Sequence, residues 1–331
     1  EIKEIQRQKG DYKRAIQSLS EGHTLEGFQR LDQLGWIREV PETERYGLLA
    51  AEYLAALADG KSALIVSPTH READRITAEI RSQRKLLQQL GTDERRFSTL
   101  QNANFTPAER ADAVNFSAGD VLVFHQNAKG FRKGQRLAVE SAALPLDQAA
   151  RFQVFHPGEL AIAPGDVIRV TQNGQTADGR HRLDNGALYR VDSFDGAGNL
   201  VLQNGWTIGK DFGFLASGYA VTSHASQGLT VDRVFVGQSA DSYGAASREQ
   251  FYVSCSRGRE AATIYTDDKE ALLDAVRQSE VRLTATDLVA ANRLRTRTQA
   301  IQRRQHLKDW DASRPSAPRS VVREELIHDR Q

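Results

Sequence analysis

The sequence predicts an α/β fold in which a parallel sheet with flanking helices is interrupted by a β-rich insertion. Three observations carry this. The apolar run Ala63-Leu64-Ile65-Val66 passes through Pro68 and Thr69 into a segment with Ala73, Ile76 and Ile80 at helical spacing, the strand-then-helix order of an α/β unit. From about Phe97 to Leu215 the helical period gives way to short alternating runs punctuated by turn residues. Strand-like runs then resume at Val231 to Val236, Phe251 to Ser254 and Ala262 to Tyr265, before a helix from Asp267 with Glu270 at the capping-box spacing.

Residues 11 to 58 predict helices. Asp11 is placed to cap a segment with Tyr12, Ala15, Ile16 and Leu19 on one face; a second helix runs through Leu25, Phe28, Leu31 and Leu34 to Gly35, and a third spans Tyr46 to Leu57. Thr69 and Glu72 have capping-box spacing for the helix after the first strand. Inside the insertion, Gly119-Asp120 and Gly165-Asp166 each set a turn before a strand, and Leu188 to Val191 and Asn199 to Leu202 flank the hairpin signal Asp195-Gly196-Ala197-Gly198. Regular short strands of this kind predict a small barrel.

Composition fits a globular chain able to bury a core: 331 residues, 40% hydrophobic and 26% charged. A net charge of +1 makes any nucleic-acid surface a matter of local clustering. A single Cys255 excludes an internal disulfide and suits a reducing cytoplasm, no run of 18 apolar residues exists, and no zinc spacing occurs among the eight His. No metal site is therefore expected in this chain. Residues 291–331 are basic, with net charge +5, and Arg314-Pro315-Ser316-Ala317-Pro318-Arg319 has linker composition; a solvated helix with a flexible join is the reading preferred to a dedicated DNA grip.

The most informative residues are Gly218-Tyr219-Ala220-Val221-Thr222-Ser223-His224-Ala225-Ser226-Gln227-Gly228-Leu229-Thr230 and, further on, Tyr252-Val253-Ser254-Cys255-Ser256-Arg257-Gly258-Arg259-Glu260. Small hydroxyls and backbone amides approach a phosphodiester closely, and a forked guanidinium suits a terminal phosphate. In these segments the chain resembles motifs V and VI of superfamily 1 RecD-like DNA helicases, and most closely the helicase region of conjugative relaxases of the TraI/TrwC (MobF) type. Arg7-Gln8 resembles motif IV, and Ser67-Pro68-Thr69-His70-Arg71-Glu72 a stretch of the same relaxases. The resemblance covers most of residues 1 to about 275.

The resemblance implies a RecA-like second motor domain in two parts, residues 1–96 and 216–280, interrupted by an SH3-like β-barrel at 97–215 and followed by a basic tail at 281–331. It implies Arg257 as an arginine finger reaching a γ-phosphate, Arg7 as a second phosphate sensor, and Gln227, Gly228 and Gln8 on the nucleotide side. Thr222, His224 and Tyr219, with Thr69 and His70, would face single-stranded DNA. The bland alternatives are a surface charge for Arg7, a helix cap for Thr69, a core aromatic for Tyr219, a turn for His224 and Gly228, and a salt bridge from Arg257 to Glu260. ATP and Mg²⁺ are the implied cofactors of the longer protein. Single-stranded DNA, the first motor domain, and relaxosome or secretion-coupling proteins are the implied partners.

A Walker A loop and a Walker B carboxylate pair are not found in the sequence. Asp59-Gly60-Lys61-Ser62 follows a helical pattern and precedes a strand, the reverse of a phosphate loop, and Ala55 stands where the first Gly belongs. The expectation is thus the distal part of an ATP-dependent single-strand translocase. A helicase-like module without ATPase activity, acting as a scaffold, and a repair or RNA helicase are the competing readings. With mostly neutral contacts at Thr222 and His224, weak single-strand binding with little counterion release is expected. Deleting the residues after Ser279 should then leave affinity and its salt dependence nearly unchanged in a titration with labelled oligonucleotide.

Overall fold

The computed structural model describes residues 8–140 and 144–278, which lie in one compact unit. Arg7 and the basic tail lie outside the described residues. Helices α1 (Gly10–Ser20) and α2 (Thr24–Gln33) precede strand β1 (Ile37–Glu39), helix α3 (Glu42–Ala58), strand β2 (Ala63–Ser67) and helix α4 (His70–Leu86). The insertion begins with β3 (Arg95–Asn102), α5 (Pro107–Arg110), β4 (Val121–Phe124), β5 (Arg136–Ala138) and β6 (Phe152–Ile162). It continues with β7 (Val167–Val170), β8 (Gly174–Gln175), β9 (Arg182–Leu183), β10 (Leu188–Phe194), β11 (Leu200–Leu202), β12 (Thr207–Ile208) and β13 (Leu215–Ser217). The chain then returns through β14 (Ala220–Thr222), β15 (Val231–Gly237), α6 (Arg248–Cys255), β16 (Gly258–Thr266) and α7 (Lys269–Arg277).

Five strands form one parallel sheet in the order β1-β16-β15-β2-β14. Successive residues of a strand face opposite sides, so a sheet covered on both faces needs apolar residues at every central position. Leu64, Val66, Val234, Val236 and Ile264 pack with Tyr12, Ile16, Leu31, Phe251 and Leu272 from α1, α2, α6 and α7. The intervening Ile65, Phe235 and Tyr265 pack with Leu49, Tyr53, Ile76 and Ile80 from α3 and α4. This is the parallel sheet with flanking helices that the resemblance implies.

Several local expectations are corrected. Residues 248–255 are a helix: Ser247 Oγ accepts from the Gln250 N–H, and Phe251 and Cys255, one turn apart, are both buried. Strand β1 interrupts the expected helical region, with Ile37 paired to Ile264. Helix α1 starts at Gly10, so Asp11 sits in its first turn and pairs with Arg14, while the predicted apolar face is buried. Asp268 rather than Asp267 caps α7, accepting from the Glu270 and Ala271 N–H groups. Asp267 instead accepts from the Ala240 N–H and pairs with the buried Arg45. Thr69 caps α4 as expected, but Glu72 does not complete the box; its buried carboxylate accepts from the Ser239 N–H (2.9 Å) and from Ser67 Oγ (3.3 Å).

The insertion comprises two larger antiparallel sheets, β3-β6-β4-β5 and β12-β11-β10-β7-β13, and the two-stranded ladder β8-β9. Leu122, Phe124, Phe152 and Val154 form the core of one, and Val170, Val191, Leu200 and Ile208 that of the other. Where a small barrel is expected, the larger sheets have β3 and β5, and β12 and β13, as their edge strands. Both Gly-Asp turns form: Gly119 and Gly165 have φ of +93°, and Asp120 and Asp166 each accept from the N–H three residues earlier.

A buried cluster fastens the insertion to the parallel sheet. Asp166 accepts from Arg81 (2.9 Å) and from the Tyr219 hydroxyl (2.9 Å), while Arg84 donates to the Gly165 carbonyl (3.1 Å) and to the same hydroxyl. Burial lowers the Arg81 pKa, but Asp166 and Glu94 more than offset this and leave it raised. Removing one member of a buried charge pair leaves the other uncompensated. Asp166→Ala should therefore destabilise the protein by about 3 kcal/mol, measured by urea unfolding.

Candidate nucleotide and nucleic-acid interfaces

Parallel strands gather their carboxyl ends on one edge and their amino ends on the other, and this sorts the candidate residues. Thr222 ends β14 opposite Ser67, the last residue of β2, so the turn at Ser223–His224 and the Thr69–His70 helix start follow adjacent strand ends. His224 and His70 are exposed, and Thr222 and Thr69 are half-buried. Thr222 Oγ1 accepts from the Ala225 N–H at 3.4 Å, while Thr69 Oγ1 caps α4. Together they supply hydroxyls, imidazoles and a helix N-terminus at one end of the sheet, groups suited to a phosphate backbone.

The turn at 223–228 is braced against α6 by a buried polar network. The Ser223 and Ser254 hydroxyls are 3.0 Å apart, and the Gln250 amide donates to both. From there the chain reaches the amino end of β15 through Gln227 and Gly228, both exposed. Gly228 has φ of +83°, a left-handed conformation that explains glycine at this position.

Arg257 sits at this opposite end of the sheet, between α6 and β16, and its carbonyl accepts from the Val231 N–H at 3.0 Å. It thus follows a helix rather than the strand expected at Phe251 to Ser254. Its residue is buried; Nε donates to the Val253 carbonyl and Nη2 to Ser256 Oγ, each at 2.8 Å. The bland pairing with Glu260 does not form, because Glu260 takes Lys61 at 2.7 Å, and Arg259 pairs with Asp232.

Two side chains from the start of α1 hold the Arg257 turn. The Tyr12 hydroxyl donates to the Cys255 carbonyl (2.6 Å), and Gln8 Nε2 donates to the carbonyls of Ser256 (3.1 Å) and Gly258 (2.5 Å). Gln8 is 3% exposed. Its amide nitrogen is thus engaged with the protein backbone. Tyr219 is corrected more fully: it is 3% exposed, burial and Asp166 push its hydroxyl pKa up, and its ring has no face open to a base. Burial likewise pushes the Cys255 thiol up, in keeping with a small core residue.

Sequence reasoning missed the Tyr12 and Gln8 brace, the Gln250 network and the role of Glu72. The spacing of Ser247 to Gln250 and of Phe251 to Cys255 carries the helix signal that leads to the second of these.

The described residues do not form a complete cradle for a magnesium nucleotide. Gly60-Lys61-Ser62 joins α3 to β2, Lys61 is paired with Glu260, and Ser62 exchanges hydrogen bonds with Asp232. These bonds, with Arg259, hold the Asp232 carboxyl down at about 2. Among the described residues no group of three or more His, Cys, Asp and Glu is placed to hold a metal ion. No described helix is long and apolar enough to cross a membrane.

No family model matches this chain, and no curated protein matches it. Among solved structures it is similar to a Bacteroides Pif1 helicase in complex with ADP-AlF3 and ssDNA, at 15% identity and a TM-score of 0.43, over 88% of this chain and 55% of that one. It is also similar to Bacteroides Pif1 bound to ssDNA (14%, TM-score 0.41, 81% and 52%) and to Pif1 helicase from Candida albicans (16%, TM-score 0.38, 89% and 60%). The chain spans little more than half the length of these proteins. Likenesses this shallow decide neither fold nor activity, and the fold rests on strand order and register.

With Lys61 and Ser62 held by internal partners, the 331-residue chain alone should release no phosphate from ATP, with or without single-stranded DNA. DNA-stimulated release that Lys61→Ala abolishes, followed with a phosphate sensor, would contradict this.

Proposed function

We propose that this chain is the distal motor part of a superfamily 1 single-strand DNA translocase or helicase of the RecD-like group, acting in the cytoplasm. The observation that carries the reading is the separation of two residue sets on one parallel sheet. Thr222, His224, Thr69 and His70 follow its carboxyl edge, and Gln227, Gly228 and Arg257 lie toward its amino edge. In the proposed organisation the motor domain is formed by residues 1–96 and 216–280 around an SH3-like insertion at 97–215. A conjugative relaxase with relaxosome or secretion-coupling partners is the parent that the motif resemblance favours.

ATP with Mg²⁺, held mainly by another motor domain, would supply the phosphoryl transfer that drives the cycle. Arg257 would stabilise charge on the equatorial phosphate oxygens, after its guanidinium exchanges the Val253 carbonyl and Ser256 hydroxyl for them. Gln8 and Tyr12 would hold the backbone of that turn while the side chain moves. Arg7 would be a second phosphate sensor. At the other edge, Thr222 and His224 would grip and release the strand as the cleft closes and opens.

The inward-folded guanidinium of Arg257 favours a second reading, an ATPase-inactive module that serves as a DNA-binding or docking scaffold. A protein joining this chain to a Walker-containing motor domain separates the two. Arg257→Ala should lower its DNA-stimulated turnover roughly 10³-fold with little change in DNA affinity, since a finger acts on the transition state. Unchanged turnover would favour the scaffold, and equal loss of rate and affinity would move Arg257 to the DNA surface.

A further inference from the structure

The connection between β4 and β5, taken with its flanks as residues 125–136, carries Lys129, Arg132, Lys133 and Arg136 and no carboxylate. Arg136 is used inside the fold: it donates to the carbonyls of Asp211 (2.8 Å) and Phe212 (2.5 Å) and lies over the Phe214 ring at 5.0 Å. Lys129, Arg132 and Lys133 are exposed, as is Arg151 at the foot of the hairpin, and among the described residues none of these four has an ion pair. Elsewhere on the insertion Arg95, Arg96, Arg180 and Arg182 are matched by Asp93, Glu159, Asp178 and Asp184, while Arg190 and Lys210 are single exposed cations set apart from one another in sequence. Asp147 is the exposed carboxylate of the neighbouring segment, so the local balance remains positive.

The loop holding these charges is built rather than slack. Asn127 Oδ1 accepts from the Lys133 N–H (2.9 Å) and Gln135 Oε1 from the Arg132 N–H (3.1 Å). The Gln148 amide bonds both the N–H and the carbonyl of Lys129. Phe131 stacks on Phe124, with ring centroids 4.2 Å apart. Side-chain amides thus fix the backbone under each of the three cations, which lowers the ordering cost of binding.

We propose that this hairpin is a sequence-independent grip for the phosphate backbone of nucleic acid, separate from the strand ends of the parallel sheet. Fixed point charges without internal partners suit a polyanion of regularly spaced phosphates. An anionic membrane fits less well, because the one aromatic ring of the tip is turned onto Phe124 and leaves no apolar anchor. The grip does not depend on the chain being a motor. It also revises the expectation of little counterion release.

The test is fluorescence anisotropy of the 331-residue chain with a labelled single strand of about 20 nucleotides and with its duplex, from about 50 to 200 mM salt. Lys129→Ala/Arg132→Ala/Lys133→Ala should weaken binding about tenfold or more at the low-salt end and flatten the log–log salt slope by about 2 to 3, at about 0.9 per duplex phosphate contact and 0.7 per single-strand contact. Arg180→Ala/Arg182→Ala, which removes cations already paired, should change neither, and circular dichroism melting should confirm that the triple variant folds. Unchanged affinity and slope in the triple variant would overturn the proposal, as would absence of binding to either oligonucleotide at low salt. Capture by phosphatidylserine vesicles but not by oligonucleotides would overturn it in favour of a membrane. Thr222→Ala/His224→Ala, run in parallel, reports on the motor reading separately; loss there with a silent triple variant would remove the hairpin grip alone.

Discussion

Strand β2 is the constraint on which the architecture depends, because it pairs on one side with β14 and on the other with β15, both contributed from beyond the insertion. The sheet therefore cannot close until the chain has left it, built the antiparallel sheets of the insertion and returned. Asp166, Arg81, Arg84 and Tyr219 meet where those excursions begin and end, joining α4, the turn before β7 and the residue before β14. A charge cluster at that junction fixes direction as well as proximity, since Arg81 presents two nitrogens to one carboxylate.

Much of the fold was legible in the sequence because its central strands are buried on both faces, and runs such as Leu64-Ile65-Val66 and Val234-Phe235-Val236 record this directly. Helix α6 was not, because Phe251, Tyr252 and Val253 are strand formers whose local preference is overridden by the Ser247 cap and by burial of Phe251 and Cys255 on one face. Strand β1 is three residues long with a single buried side chain, too short for a period to register.

The candidate sites were less legible than the fold. Motif spacing identified the segments, but the partners of individual side chains lie far away in sequence: Tyr219 meets Asp166 from 53 residues earlier, and Gln8 meets Ser256 from 248 residues later. A sequence window contains neither partner. The cationic hairpin was overlooked for a related reason. Its charges are ordinary in number, and what sets them apart is that three of them cluster on one short loop without an ion pair among the described residues.

The brace from α1 has a mechanical consequence. Gln8, just before α1, and Tyr12, in its first turn, bond three carbonyls of the backbone around Arg257, at Cys255, Ser256 and Gly258. With three of its carbonyls held, the turn is tied to the start of α1, while the guanidinium bonds Val253 and Ser256. The start of α1 and the backbone around Arg257 are thus one hydrogen-bonded unit, joining residues about 250 positions apart in sequence.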